Sequence, residues 1–176
     1  ANELKNQISK KVDQFRDRRL SELTTAQINK AVIKTAAGDI ELAKKNDHWS
    51  LTKPFQARGD DAKIGDLLSQ VTTARIESFV ADSGNLAGYG LQDPRAAVSL
   101  FSVGSDQPTI LQIGDNPKDE KAKDQTYAKL STRDAVVVLP KSIESLLRIQ
   151  PNDLRDKNLL RVDADIVDRI TIEGQG

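Results

Sequence analysis

Short segments that alternate apolar and polar residues, each closed by a turn signal, constrain this chain most. "INKAVIKT" (Ile28 to Thr35) and "DIELAKKN" (Asp39 to Asn46) carry a period of two. That period sets one face of a strand against a core and the other in water. Ala37-Gly38 between them predicts a tight hairpin. "HWSLTKP" adds a short third strand ending at Pro54. "IESFVAD", "AAVSLFSV", "PTILQIG", "QTYAKLS" and "AVVVLP" follow, and turn-rich "GSDQ", "GDNPKDEKAKD" and "TRD" separate the last four. Strands joined this closely pair antiparallel, because a parallel neighbour needs a crossover of a dozen or more residues.

Other stretches have helical spacing. Leu4, Ile8, Val12 and Phe15 in "LKNQISKKVDQFRDRRLSEL" predict a helix ending near Arg19. Asp60 and Asp61 read as N-cap residues of a helix running to about Arg75. Its Ile64, Leu67, Leu68 and Val71 form one stripe, suited to lying on a sheet. "KSIESLLRIQ" after Pro140 predicts a second helix on the sheet. The end, "LRDKNLLRVDADIVDRITIEGQG", reads as a short helical or turn segment and then a strand from Val167 to Glu173. The fold class is α+β: a mainly antiparallel sheet with two or three helices packed on it, in the order β-β-β-α-β-β-β-β-β-α-β. At 176 residues the chain is long enough for one domain with a real core.

The two ends of the chain echo each other. With Arg16 set on Arg155, an offset of 139 residues (155 minus 16), "FRDRRLSELTTAQINKAVIK" faces "LRDKNLLRVDADIVDRITIE" without a gap. Arg16-Asp17 meets Arg155-Asp156, Leu20 meets Leu159, and Ile33 meets Ile172. We read this as an internal repeat. Residues 1–27 are then the helical tail of a preceding repeat or an N-terminal extension. Residues 28–165 are the main α+β domain, and 166–176 a strand opening a following repeat. The chain also lacks methionine, and we expect that Ala1 is not a natural start and that the protein is longer, with at least one more copy.

Composition narrows the chemistry. Lys plus Arg is 26 and Asp plus Glu is 26, so no long-range field draws nucleic acid or an anionic membrane. Aromatics are 4%, too few for a base-stacking surface. The absence of cysteine excludes disulfides, thiolate catalysis and cysteine metal sites. No apolar run approaches the ~20 residues of a membrane helix. Contact with a membrane is expected only through a missing N-terminal anchor.

Individual motifs do not add up to a reaction. His48 is the only histidine, and no nucleophile or base is marked beside it. "SLTK" (Ser50 to Lys53) has a Ser-x-x-Lys spacing, but an extended segment puts the two on opposite faces. "RGD" (Arg58 to Asp60) is accounted for by helix capping. Asp115, Asp119, Glu120 and Asp124 in "GDNPKDEKAKD" do not follow a calcium-loop spacing, and Lys118, Lys121 and Lys123 neutralise them. "GYG" lacks the context of a phosphate loop. We expect no catalytic residues, no metal and no cofactor. "GNLAGYGLQDPRAAVSLF" (Gly84 to Phe101) reads as a stiff structural joint, with Gly84, Gly88 and Gly90 free to take positive φ. Pro94 narrows it further, and Tyr89 and Leu91 serve as apolar plugs.

Several pieces taken in order resemble the bacterial domain-of-unknown-function family 4340. They are "HWSLTKPFQARGDDAKIGDLLSQV", "YGLQDPRAAVSL", "LQIGD", "QTYAKL" and "LRDKNLL" before a closing strand. Trp49, Leu51, Pro54, Tyr89, Gly90, Leu91, Pro94, Ile113, Gly114 and Leu154 to Lys157 sit on the family pattern. The resemblance implies a periplasmic or otherwise extracytoplasmic domain, usually behind an N-terminal membrane helix. It implies company with gliding-motility-type ABC transporter components, and no known reaction. The expected function is a non-catalytic accessory or scaffold domain of an envelope complex, partnered by transporter subunits or other envelope proteins and not by nucleic acid. The alternative is a polysaccharide- or peptide-binding module using Trp49, Tyr89 and Tyr127; a hydrolase ranks below both.

Overall fold

The alternation read in the sequence becomes a single nine-stranded sheet in the computed structural model, which describes residues 16–80 and 84–158 together with Arg169 and Thr171. The helix expected from Leu4 and the strand expected from Val167 to Glu173 lie outside the described residues, apart from their last and scattered positions. Strands β1 (Ile28–Thr35), β2 (Gly38–Lys45) and β3 (His48–Lys53) form a meander. The first turn brings Thr35 opposite Gly38, whose φ of 124° only glycine takes without strain. The second has Asn46 and Asp47 both at positive φ, the pattern of a type I′ hairpin turn. A short β4 (Ala57–Arg58), not expected from sequence, pairs on β3.

Helix α1 (Asp61–Thr72) then carries the chain from this edge to the other. Asp60 is its N-cap and accepts the Lys63 amide at 3.2 Å. Ile64, Leu67, Leu68 and Val71 are buried as one face, as their spacing requires. Among the described residues of the strand expected over "IESFVAD", β5 (Ser78–Phe79) is the regular part. A second meander, β6 (Ala96–Ser102), β7 (Thr109–Ile113), β8 (Gln125–Leu130) and β9 (Val136–Pro140), runs outward from the centre to meet β5. The strand order is β4-β3-β2-β1-β6-β7-β8-β9-β5, with every neighbouring pair antiparallel. The expected second helix is instead a 3-10 helix over Lys141–Arg148. Its buried Ile143 and Leu146 stand three apart, which suits three residues per turn.

The core lies on one side of this sheet. Ala31, Ile33, Leu42, Leu51, Val98, Leu100, Leu111 and Ile113 face α1 and the 3-10 helix, while Lys30, Glu41, Ser99 and Gln112 alternate to the other side. Glu41 bridges Lys30 at 2.5 Å and Lys53 at 3.2 Å across that outer face. Hydrogen bonds from those two lysines hold its carboxyl below the ordinary range.

The segments that echo each other pair at the two ends of the sheet, one with β4 and the other with the residues that lead into β5. At one edge Ile76 donates to the Arg18 carbonyl and Leu20 to the Ala74 carbonyl. At the other, Asp60 donates to the Leu154 carbonyl and Asp156 to the Arg58 carbonyl. Unpaired edge groups invite association with other chains, so these caps protect the sheet. Each segment also bends on its own aspartate: Asp17 Oδ1 accepts the Arg19 amide at 3.0 Å, and Asp156 Oδ1 the Asn158 amide at 2.9 Å.

Leu20 is wholly buried, so Leu20→Ala is expected to cost about 2–5 kcal/mol in urea unfolding. A loss under about 0.5 kcal/mol would mean that this edge is not closed by Leu20 in solution. The Arg19 side chain, followed by its amide, lowers the Asp17 carboxyl from 3.8 to about 2. The stabilisation linked to it is therefore present above the unfolded value and is lost as pH falls through about 2. An NMR titration of Asp17 with its midpoint near 3.8 would contradict the side-chain pairing of Arg19 Nε and Nη2 with the Asp17 carboxylate.

Candidate functional site

The three aromatic residues proposed as a binding surface separate into two groups. Trp49 is only 6% exposed and belongs to the core with Leu51. Residues two apart on a strand share a face, so the parity that buries Leu51 buries the indole. Trp49 is thus removed from any binding surface. Tyr89 and Tyr127 do meet, with ring centroids 4.7 Å apart and planes tilted by 55°. Both are half-buried.

Backbone bonds hold that pair in place. Residues Ala87–Tyr89 make a 3-10 turn closed by Gly90 at φ 66°. Asp115 donates to the Tyr89 carbonyl at 2.9 Å, Tyr127 to the Asp115 carbonyl at 2.9 Å, and Gly114 to the Tyr127 carbonyl at 2.8 Å. A Cβ on Gly114 would stand 2.1 Å from the Tyr89 oxygen, and one on Gly90 would stand 2.9 Å from the Asp115 nitrogen. Leu91, 2% exposed, plugs the turn from below. The glycine-rich stretch packs as a tight joint, with positive φ at Gly90 and not at Gly88.

Beside this joint lies a polar cluster that sequence reasoning missed. Glu144 Oε1 accepts from Asn116 at 2.7 Å and from Arg95 at 3.1 Å. Arg95 also donates to the Asn116 side chain at 2.9 Å, and Asn116 to the Gln125 carbonyl at 2.9 Å. The Glu144 side chain is 9% exposed. A charge this buried needs partners, and here they come from the starts of β6 and β8 and the β7–β8 loop. The one available signal is a glutamate inside the otherwise apolar stripe of Ile143, Leu146 and Leu147.

His48 also has a partner that the sequence did not reveal. Its Nδ1 lies 2.9 Å from Asp61 Oδ2, while Asp61 Oδ1 accepts the Trp49 amide at 2.7 Å. Asp61 thereby pins the start of α1 to the start of β3. A histidine–carboxylate pair needs a nucleophile within reach of the other ring nitrogen to do acyl chemistry. Ser50 instead donates to the Ala43 carbonyl, and Lys53 pairs with Glu41. Among the described residues no group of three His, Cys, Asp or Glu side chains could hold a metal ion. An open groove of about 560 Å³ runs between Gln56–Arg58 and Asn152–Asn158. It follows the seam where the second Arg-Asp segment covers β4.

The family described as "Domain of unknown function (DUF4340)" matches residues 1–84 and again residues 49–176. The chain belongs to this family. No curated protein and no solved structure matches it.

The residues on which the resemblance was drawn meet in this chain as contacts between elements. Tyr89-Gly90-Leu91 rests on Ile113-Gly114 through the close approach of Tyr89 to Gly114. Leu154-Arg155-Asp156 pairs with Arg58-Gly59-Asp60. Trp49 and Leu51 fill the core under α1. Gly90→Val adds a branched side chain at positive φ and a clash with Asp115, so a loss of about 2 kcal/mol or more is expected. Gly114→Ala, at ordinary φ, is expected to lower Tm by crowding the Tyr89 carbonyl and the Leu91 side chain. Unchanged Tm for both would mean that the turn does not dock on β7.

Proposed function

We propose that this DUF4340 chain is a non-catalytic, extracytoplasmic scaffold domain of an envelope transport complex. The observation that carries this is where its polar groups are spent: Glu144 with Arg95 and Asn116, and Asp61 with His48, each tie one element to another. Such joints make a rigid platform and leave the outer sheet face as the surface a partner meets. The chain is a tether-borne domain, reaching its membrane through a segment outside it, and its partners are transporter subunits or other envelope proteins. No helix among the described residues is long and apolar enough to cross a membrane. The same reading takes the chain as part of a tandem array. Two overlapping matches to one family, and an Asp-to-amide bend recurring at the same offset as the sequence echo, support that.

The half-exposed Tyr89–Tyr127 pair favours a second reading, a module that binds a sugar ring or an extended peptide. The two readings are separated by cross-linking in native membranes followed by purification of the tagged full-length protein. Transporter ATPase and permease subunits are expected among the products. Their consistent absence, together with a rise in Tm on a glycan or peptide panel that Tyr127→Ala abolishes, would replace the scaffold reading with the binding one.

A further inference from the structure

The two Arg-Asp segments cap opposite edges of the same sheet with different atoms. Residues Leu154–Asp156 use the Leu154 carbonyl and the Asp156 amide, directed at Arg58 and Asp60. Residues Arg18–Leu20 use the Arg18 carbonyl and the Leu20 amide, directed at Ala74 and Ile76. On the 139-residue offset (155 minus 16) the first set corresponds to Phe15 and Asp17, and the second to Lys157 and Leu159. The two sets do not overlap. One segment can therefore engage both kinds of edge at once, its first half on one and its second half on the other.

The bend between the halves is the same in both copies. The aspartate side chain accepts the amide two residues on, at Arg19 in one and Asn158 in the other. The carbonyl of that bonded residue is reached by a guanidinium each time, Arg133 at 2.8 Å from Arg19 and Arg58 at 2.6 Å from Asn158. A carbonyl oxygen has two lone pairs and can accept both arginines together. Arg16 adds a cation–π contact 4.0 Å above the Phe79 ring, on the edge that follows it.

We infer that a single Arg-Asp segment is the seam between two successive copies of this fold, closing the β4 edge of the copy it ends and the β5 edge of the copy it precedes. This rests on the tandem reading above. The occupant of exposed Arg16-Asp17 is the β4 edge of a preceding copy, seated as Arg155-Asp156 is seated on Gly59 here. Arg58 of one copy and Arg133 of the next then share one carbonyl. The seam is short, polar at its bend and made of backbone bonds, so it sets the spacing of copies without a separate apolar interface.

The test is a two-copy chain in which residues 1–158 run directly into residues 20–176, compared with the parent chain. The expected result is one cooperative unfolding transition, with Tm raised by about 4 °C over the parent. Arg133→Ala in the second copy alone is expected to lower the melting of both. The chain has no cysteine, so Asn158→Cys at the seam and Arg75→Cys in the second copy form the only possible disulfide, at the position where Arg19 faces Arg75. That bond is expected to form quantitatively under mild oxidation. Two independent transitions at the parent Tm, with no disulfide, would overturn the seam and leave the tandem reading standing. A second copy that fails to fold beside a normal first copy would overturn the tandem reading, and the seam with it.

Discussion

The pairing of β1 with β6 is what makes one sheet out of two meanders. Ala31 lies opposite Leu100 and Ile33 opposite Val98, all buried, although nearly the whole first meander and α1 separate them in the chain. Such a contact has a high closure cost, and the apolar area it buries must offset it. Everything between the two strands serves that closure. α1 covers the buried face while it carries the chain from β4 to β5. The joint around Gly90 then returns the chain from the sheet edge to its centre, where β6 begins.

Seen from that constraint, the glycine-rich joint needs no ligand to explain it. The chain must turn sharply beside a finished strand end and stop there. Gly90 supplies the left-handed turn, and Gly114 supplies the space for the Tyr89 carbonyl. The Arg95–Asn116–Glu144 cluster fixes the same corner from the other side, tying the 3-10 helix to the start of β6. Net hydrogen bonds to charged groups contribute about 1.5–3 kcal/mol each where both partners stay satisfied. Glu144 has both of its partners within 3.1 Å, so removing either one would leave a buried charge without compensation at this corner.

Local patterns were readable in the sequence, and contacts between distant segments were not. The period of two in Ile28–Thr35 and Gly38–Lys45, the stripe on α1 and the Asp60 cap appear where residue types place them. The 3-10 geometry of Lys141–Arg148 was hidden because Ile143, Leu146 and Leu147 satisfy helical spacing as well. β4 is two residues long, below what any periodicity can mark. Trp49 was misplaced because an aromatic beside an exposed histidine looks like surface until the parity of the whole strand is counted. His48–Asp61 and Arg95–Glu144 join residues 13 and 49 positions apart, and no local signal announces such pairs.

The edges raise the last physical question: what limits edge-to-edge pairing in a sheet of this width. Long flat edges present rows of unpaired amides and carbonyls. Here each outer strand is only two residues long, and beside each lies an Arg-Asp segment that bends on its own aspartate, paired with Arg58 and Asp60 at β4 and with Ala74 and Ile76 just before β5. The bend turns the next amide into its own carboxylate, so the segment offers its neighbours one short antiparallel contact and no continuing ladder. An edge closed this way can accept one partner in one register and cannot propagate.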